Sequence, residues 1–177
     1  MNAFKPLLKL DNGKTFIQTI VEKLSNVCDE IVVVTGLNKN EIEESLTSAE
    51  QIKKVKFVFN ENYKSGMFTS LQAGLKGANS SWYLYHFVDQ PSLPLSFYSD
   101  FIQQIDDQFN WIQPTHNSKK GHPILFDNYV KKLILKSSKN KTLRDVAYDK
   151  SINKKFWECD TEIIFQDIDT QNDFINL

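Results

Sequence analysis

The sequence predicts a single three-layer α/β domain with a mostly parallel sheet, and three observations predict it. Short runs of β-branched and aromatic residues alternate with longer stretches that are apolar at helical spacing, which is the pattern of strand–helix–strand units. The run Ile31-Val32-Val33-Val34 is apolar without interruption, as suits a parallel strand covered on both faces. Three polar segments, Asn60-Glu61, Asp89-Gln90 and Asp167-Ile168-Asp169, each follow an apolar run. In open α/β sheets that is where ligands sit, outside the carboxyl ends of the strands.

The elements follow in order. Phe16, Ile17, Ile20, Val21 and Leu24 recur at helical spacing behind Thr15, a suitable N-cap. Residues 38–50 read as a second helix, acidic on its outer side. Val55-Lys56-Phe57-Val58-Phe59 is a partly alternating strand. A helix starts near residue 69, with Leu71 and Leu75 on one face and Ser65 or Thr69 as its cap. Residues 82–88 form a third strand that ends at Asp89-Gln90-Pro91. Pro94 opens a helix over 94–109, with Phe97, Phe101, Ile102 and Ile105 inward. Short strands are expected around Trp111-Ile112 and Ile124-Leu125-Phe126, helices over 129–135 and 143–148, and a last strand at Ile163-Ile164-Phe165. A short C-terminal helix follows, with Thr170 as its cap.

Composition narrows the class. A chain of 177 residues fills one domain, and 41% hydrophobic with 24% charged residues is an ordinary globular balance. Lys and Arg (21) offset Asp and Glu (22) for a net charge of -1, which argues against a protein built to grip a nucleic-acid backbone. No apolar run approaches the ~20 residues that span a bilayer, and no signal-peptide layout opens the chain. Cys28 and Cys159 lie far apart and form no CxxC pair, so a reduced, cytoplasmic protein with two buried thiols is expected. Sequence elbows for serine hydrolases, zinc-binding HExxH, dinucleotide GxGxxG and P-loop patterns are all absent.

Several residues could carry chemistry, and each has an ordinary reading beside it. Asp89 after a strand is as often a turn former, but Asp167 and Asp169 end another apolar run. Carboxylates on adjacent strand ends can hold one Mg²⁺, which favours oxygen ligands and bridges phosphate oxygens in phosphoryl or nucleotidyl transfer. The alternative for 167 and 169 is a turn leading into the last helix. Lys5, beside Pro6, is either a surface lysine or a mobile point charge for phosphate. Gly66-Met67-Phe68-Thr69-Ser70 opens a helix whose free N–H groups favour anions, or is a plainly capped start. His122, between Gly121 and Pro123, has no activating neighbour in sequence. His86 and His116 receive no role, and Cys28 has no partner signature for a nucleophile.

Read in order, these pieces resemble the molybdenum cofactor nucleotidyltransferases, most closely the cytidylyltransferase branch. The resemblance rests on Phe4-Lys5-Pro6-Leu7-Leu8 with Gly13-Lys14-Thr15-Phe16; on Asn60-Glu61-Asn62-Tyr63 with Gly66-Met67-Phe68-Thr69-Ser70-Leu71; on Val88-Asp89-Gln90-Pro91; on Gly121-His122-Pro123; and on Asp167-Ile168-Asp169-Thr170 with Asp173. It implies a Rossmann-like nucleotidyltransferase fold and transfer of CMP from CTP to the terminal phosphate of molybdopterin, with release of pyrophosphate. GTP as the donor and a sugar or polyol phosphate as the acceptor are the alternatives within that chemistry. A cofactor-binding accessory protein that no longer turns over is the alternative outside it, and a molybdoenzyme would be its client. By the same resemblance Asp89, Asp169 and Asp167 ligate Mg²⁺, and Lys5 neutralises phosphate charge. Gly66 and Ser70 face the base and ribose, and Gln90 and His122 line the acceptor side.

One departure bears on all of this. The family begins with a strand and a Gly-rich, Arg-containing loop just before the lysine, and here Met1 and Asn2 stand where that loop ends. The expectation is therefore a single domain over 1–177 that is N-terminally truncated relative to the family. The strand so lost would be central, beside Ile31-Val32-Val33-Val34.

Overall fold

The computed structural model describes residues 4–46 and 53–175. Helix α1 (Phe16–Leu24) starts at a capping box. Gln18 N–H donates to Thr15 Oγ1 at 3.2 Å, and Thr15 N–H donates to Gln18 Oε1 at 2.8 Å. Its apolar stripe is buried, Phe16 completely so. Strand β1 (Ile31–Thr35) pairs in parallel with β2 (Val55–Phe59), Ile31 opposite Val55 and Thr35 opposite Phe59. Between them runs α2 (Lys39–Leu46); the remainder of the helix expected over 38–50 lies outside the described residues. Helix α3 (Met67–Gly77) lies tight on β1, where a Cβ on Gly74 would come within 2.8 Å of Val34 Cγ2.

Strand β3 (Trp82–Tyr85) ends three residues short of the expected strand, and α4 (Leu95–Ile102) closes well before residue 109. Next come β4 (Trp111–His116), β5 (Lys119–Lys120), β6 (Ile124–Asp127), α5 (Asn128–Lys136) and α6 (Leu143–Ala147). The chain ends with β7 (Lys154–Glu158) and α7 (Gln171–Ile175), separated by a 3-10 turn at Glu162–Phe165.

The expectation of a mostly parallel sheet fails. Among the described residues β3, β6, β4 and β5 pair in that order, each contact antiparallel, and only β7 joins this sheet in parallel, on β4. The reason lies in the connection 117–123. A parallel crossover needs a dozen or more residues, and this one is a tight reversal through Asn117 (φ 49°) and Ser118 (φ 63°), so β6 must run back against β4. The expected strand at Ile163-Ile164-Phe165 is instead the 3-10 turn, whose Ile164 is fully buried. The last strand is β7, a segment to which the sequence reading assigned no element.

Two hydrophobic cores result. One gathers α1, β1, α4 and Ile164; the other packs α3 and α5 against the face of β3, β6 and β4 that carries Tyr83, Phe126 and Trp111. Among the described residues no ladder joins β1 to β3. A cavity of about 640 Å³ is lined by Ile31 to Val34, by Trp82 to Asp89 and by residues of α1 and α3.

Candidate active site

The site grows from the turn after β3. Ile168 N–H donates to the Asp89 carbonyl at 3.0 Å, and Ile168 is fully buried, so the segment carrying Asp167 and Asp169 is pinned against the segment carrying Asp89. Gln90, only 2% exposed, turns inward and donates from Nε2 to Asp167 Oδ1 at 2.8 Å. Below, a second capping box fixes the chain. Thr170 N–H donates to Asp173 Oδ2 at 2.7 Å, and Asp173 N–H donates to Thr170 Oγ1 at 3.2 Å, as expected of Thr170 as a cap.

Lys5 closes the cluster. The 3-10 turn at Lys5–Leu7, with Pro6 at its start, aims the ammonium at two carboxylates. It ion-pairs with Asp169 Oδ1 and lies 3.7 Å from Asp89 Oδ2. Lys5, Asp89 and Asp169 thus meet across 164 residues of chain, while Asp167 faces Gln90 and not the lysine. Burial, the largest single influence, pulls the Lys5 ammonium down, but the Asp169 hydrogen bond and the two carboxylate charges together raise it above its ordinary value. Burial also pushes the Asp89 carboxyl up, Asp167 adds to the rise, and Lys5 only partly offsets it. Asp89 Oδ1 is buried without a hydrogen-bond partner, a costly arrangement unless a ligand completes it.

The opposite side is built on α3. Gly66 (φ 105°) adopts a backbone that other residues rarely take, and it forms the N-cap itself. Neither Ser65 nor Thr69 caps the helix, because the Thr69 hydroxyl donates backwards to Gly66 and Asn62 carbonyls at 2.8 and 3.0 Å. Asn60, which the sequence reading places at a strand end without a role of its own, organises this side. It is 4% exposed, its N–H donates to the Thr35 carbonyl, and its Nδ2 reaches Thr69 Oγ1 at 2.9 Å and Ser70 Oγ at 3.0 Å. The available signal was two hydroxyls nine and ten positions downstream of an asparagine at a strand end. Asn60 ties the β1–β2 end to the first turn of α3 and orients Ser70, which lines the β1–β3 cavity together with Asp89.

His122 packs on Phe87 with ring centroids 4.5 Å apart, and its Nδ1 is buried without a partner. Burial holds its imidazole below the ordinary range, although the Asp89 charge pulls the other way, so it is neutral at pH 7. His86 is part-buried and lines the β1–β3 cavity. Its ring lies between the Phe87 carbonyl at 2.6 Å and the Tyr98 hydroxyl at 2.7 Å, and burial pushes it down to about 4. Cys159 is buried, Cys28 is half-buried with its thiol pushed up to about 11 by desolvation, and both are free, which suits neither a nucleophile nor a disulfide.

The segment under His122 is closely fitted. A Cβ on Gly121 would stand 2.6 Å from three side-chain atoms of Ile164, and His122 N–H donates to the Ile164 carbonyl at 3.0 Å. Gly121→Ala should therefore lower stability by roughly 2–3 kcal/mol through overpacking. Denaturant unfolding checks it, and a change under about 0.5 kcal/mol would show that this contact is soft.

The donor set suits a divalent cation. Hard carboxylate oxygens of Asp89 and Asp169 converge on one cationic group, and one of those oxygens lacks a partner. Among the described residues no three His, Cys, Asp or Glu side chains stand close enough to enclose a metal by themselves. Among those residues no helix is long and apolar enough to cross a membrane.

Comparison with known proteins decides the class. The profile of the MobA-like NTP transferase domain matches residues 1–153. The chain belongs to this family. It is similar to the molybdenum cofactor cytidylyltransferase of Escherichia coli (strain K12), 25% identical over 99% of this chain and 87% of that protein. A probable molybdenum cofactor guanylyltransferase of Bacillus cytotoxicus is 27% identical over 64% of this chain and 54% of that protein. A nucleotidyl transferase from Methanothermobacter thermautotroptrophicus superposes with a TM-score of 0.81 at 21% identity, covering 98% of this chain and 83% of that one. The chain is a MobA-like nucleotidyltransferase with the α/β fold of its class.

Proposed function

We propose that this nucleotidyltransferase moves CMP from CTP to the terminal phosphate of molybdopterin or its metal-loaded form, in the biosynthesis of the molybdenum cofactor. The observation that carries the reading is the meeting of Lys5, Asp89 and Asp169 after β3, with Ser70 lining the same cavity as Asp89. The greater reach of the cytidylyltransferase likeness supports CTP over GTP.

An acceptor phosphate oxygen attacks the α-phosphorus of the nucleotide in line, a new P–O bond forms, and the bond to the β-phosphate oxygen breaks. Pyrophosphate leaves with that electron pair. Lys5 supplies a fixed positive charge against the triphosphate as negative charge shifts to the leaving group. Asp89 and Asp169, with Asp167 behind them, would hold Mg²⁺. A bound Mg²⁺ supplies charge neutralisation at the phosphate oxygens. Asn60 keeps Ser70 turned toward base and ribose, and the start of α3 at Gly66 offers N–H groups to polar ligand edges. Neutral His122 and buried Gln90 lie on the acceptor side, His122 as a hydrogen-bond partner and Gln90 holding Asp167 in place. A client molybdoenzyme would receive the product.

Titration calorimetry with CTP, GTP and ATP, each with and without Mg²⁺, tests donor choice, and product analysis with molybdopterin tests the acceptor. The expected result is Mg²⁺-dependent CTP binding at least about tenfold tighter than GTP, near 1.4 kcal/mol. Tighter GTP binding would move the chain to the guanylyl branch. Product with a sugar phosphate but none with molybdopterin would overturn the acceptor.

A further inference from the structure

We propose that His86 is a positioning residue for the acceptor side, holding the Phe87 backbone and, through the Phe87 ring, His122. The proposal rests on the reading that His122 lines that side. The ladder between β3 and β6 ends at Tyr85 opposite Ile124, so beyond it the backbone needs other partners. Two carbonyls of the segment that runs on to Asp89 find them. His86 Nδ1 lies 2.6 Å from the Phe87 carbonyl, and Ile168 N–H donates to the Asp89 carbonyl at 3.0 Å. The first of these bonds comes from a side chain that the proposed transfer does not otherwise use.

The two ring nitrogens of His86 have different tasks. A carbonyl only accepts, so the bond to Phe87 requires the proton on Nδ1. Nε2 is then an acceptor, and the Tyr98 hydroxyl, 2.7 Å away, donates to it. The donors thus run one way, from Tyr98 O–H to Nε2 and from Nδ1–H to the Phe87 carbonyl. Burial keeps the imidazole neutral at pH 7, as this arrangement requires. Tyr98 is the fixed end: it is fully buried in α4, with the Phe97 ring edge-on at 5.7 Å. Desolvating a hydroxyl and an imidazole is costly, and an apolar pair would fill the same space. What the polar pair adds is a donor held against the Phe87 carbonyl.

Phe87 carries this order to the site. Its ring meets Tyr85 edge-on at 5.0 Å on centroids and His122 at 4.5 Å. His122 Nδ1 is buried without a partner, which leaves ring packing on Phe87 to set the direction of the imidazole. Asp89 is pinned separately by Ile168. Loss of the His86 bond should therefore loosen Phe87 and His122 while leaving Lys5 and the carboxylates in place.

Two substitutions separate the two nitrogens. Asparagine places an amide N–H near the position of Nδ1 and can still donate to the Phe87 carbonyl. Glutamine reaches toward Nε2 and Tyr98 and leaves that carbonyl without its donor. In the 177-residue chain with CTP, Mg²⁺ and molybdopterin, His86→Gln should raise the acceptor KM about tenfold and leave the CTP KM within about twofold. His86→Asn should restore the acceptor KM, whatever the two variants do to Tm. Nitrogen-15 spectra of the free chain need no substrate. They should show His86 protonated at Nδ1, with the His122 ring signals displaced in His86→Gln and unmoved in His86→Asn. The proposal fails if His86 carries its proton on Nε2, or if the His122 signals stay in place in His86→Gln. It also fails if both variants lose activity equally and in step with Tm. Where His86→Gln does not fold, Tyr98→Phe removes one oxygen and keeps the packing; it should displace the same signals, and unmoved signals there overturn the proposal equally. A wild-type chain that makes no product from molybdopterin sinks the acceptor reading alone, and the spectra still decide whether His86 directs His122.

Discussion

Replacing Asp89 with asparagine should lower nucleotidyl transfer by on the order of 10³-fold while leaving the thermal midpoint at pH 7 unchanged or higher. On the proposed reading, the loss follows from removing a carboxylate that would hold the cation and lies 3.7 Å from Lys5, where several kcal/mol of charge stabilisation are at stake. The stability side follows from linkage. Burial and the neighbouring Asp167 raise the Asp89 carboxyl above its ordinary 3.8 in the folded state. The folded protein thus holds this proton more tightly than the unfolded chain does. Ionised Asp89 is therefore a standing cost to the fold at neutral pH, and that cost fades as pH falls through the raised value toward 3.8. Asparagine carries no charge, so the variant should gain at pH 7 and lose that advantage below about pH 4. Steady-state assays and thermal melts at the two pH values check both halves. Near-normal turnover would remove Asp89 from the site, and a joint collapse of activity and Tm would make it a structural residue. A gain in stability with a loss of activity is the pattern of a residue kept for chemistry at the fold's expense.

The sequence was most legible where local signals and burial agree. Helix α1 combined a capping pair, Thr15 and Gln18, with an apolar stripe, and β1 was apolar throughout. It was least legible where a partner decides the outcome. β7 reads Lys154-Lys155-Phe156-Trp157-Glu158, with little of the alternation that marks a strand, and becomes one because its backbone pairs with β4 from Trp111 to Thr115. The direction of β6 is likewise a property of its neighbours, although the short connection 117–123 held the clue. Ile163-Ile164-Phe165 has strand composition, but Thr161 starts a 3-10 turn there and Ile164 drops into the core. In the site, the structure brings Lys5, Asp89 and Asp169 together. Two details were out of reach from order alone: Asp167 turning to Gln90, and Asn60 gathering Thr69 and Ser70. Both depend on side-chain direction, which spacing along the chain does not encode.

Lys5 separates the chemistry of the site from its architecture most sharply. Lys5→Met keeps the length and apolar stem of the side chain while deleting its charge. Turnover should fall by on the order of 10²-fold, since a charge placed against the shifting phosphate electrons contributes at the scale of an electrostatic donor in other transfer reactions. The affinity for Mn²⁺ alone should move the opposite way, about tenfold tighter. In the wild type the ammonium sits between Asp89 and Asp169 and competes for their oxygens. Without it the two carboxylates repel one another, and a divalent cation relieves that repulsion directly. Lys5→Arg should recover little activity, because a planar fork pairs with the carboxylates more firmly and cannot act as a mobile point charge. Mn²⁺ titration by calorimetry beside steady-state assays distinguishes the possibilities. If Lys5→Met loses both metal affinity and activity, the lysine supports the fold of the site. If it loses neither, its ion pairs are surface contacts of small energetic consequence. Only opposite movements assign Lys5 to the triphosphate, as the charge that steps away from the carboxylates when nucleotide and metal arrive together.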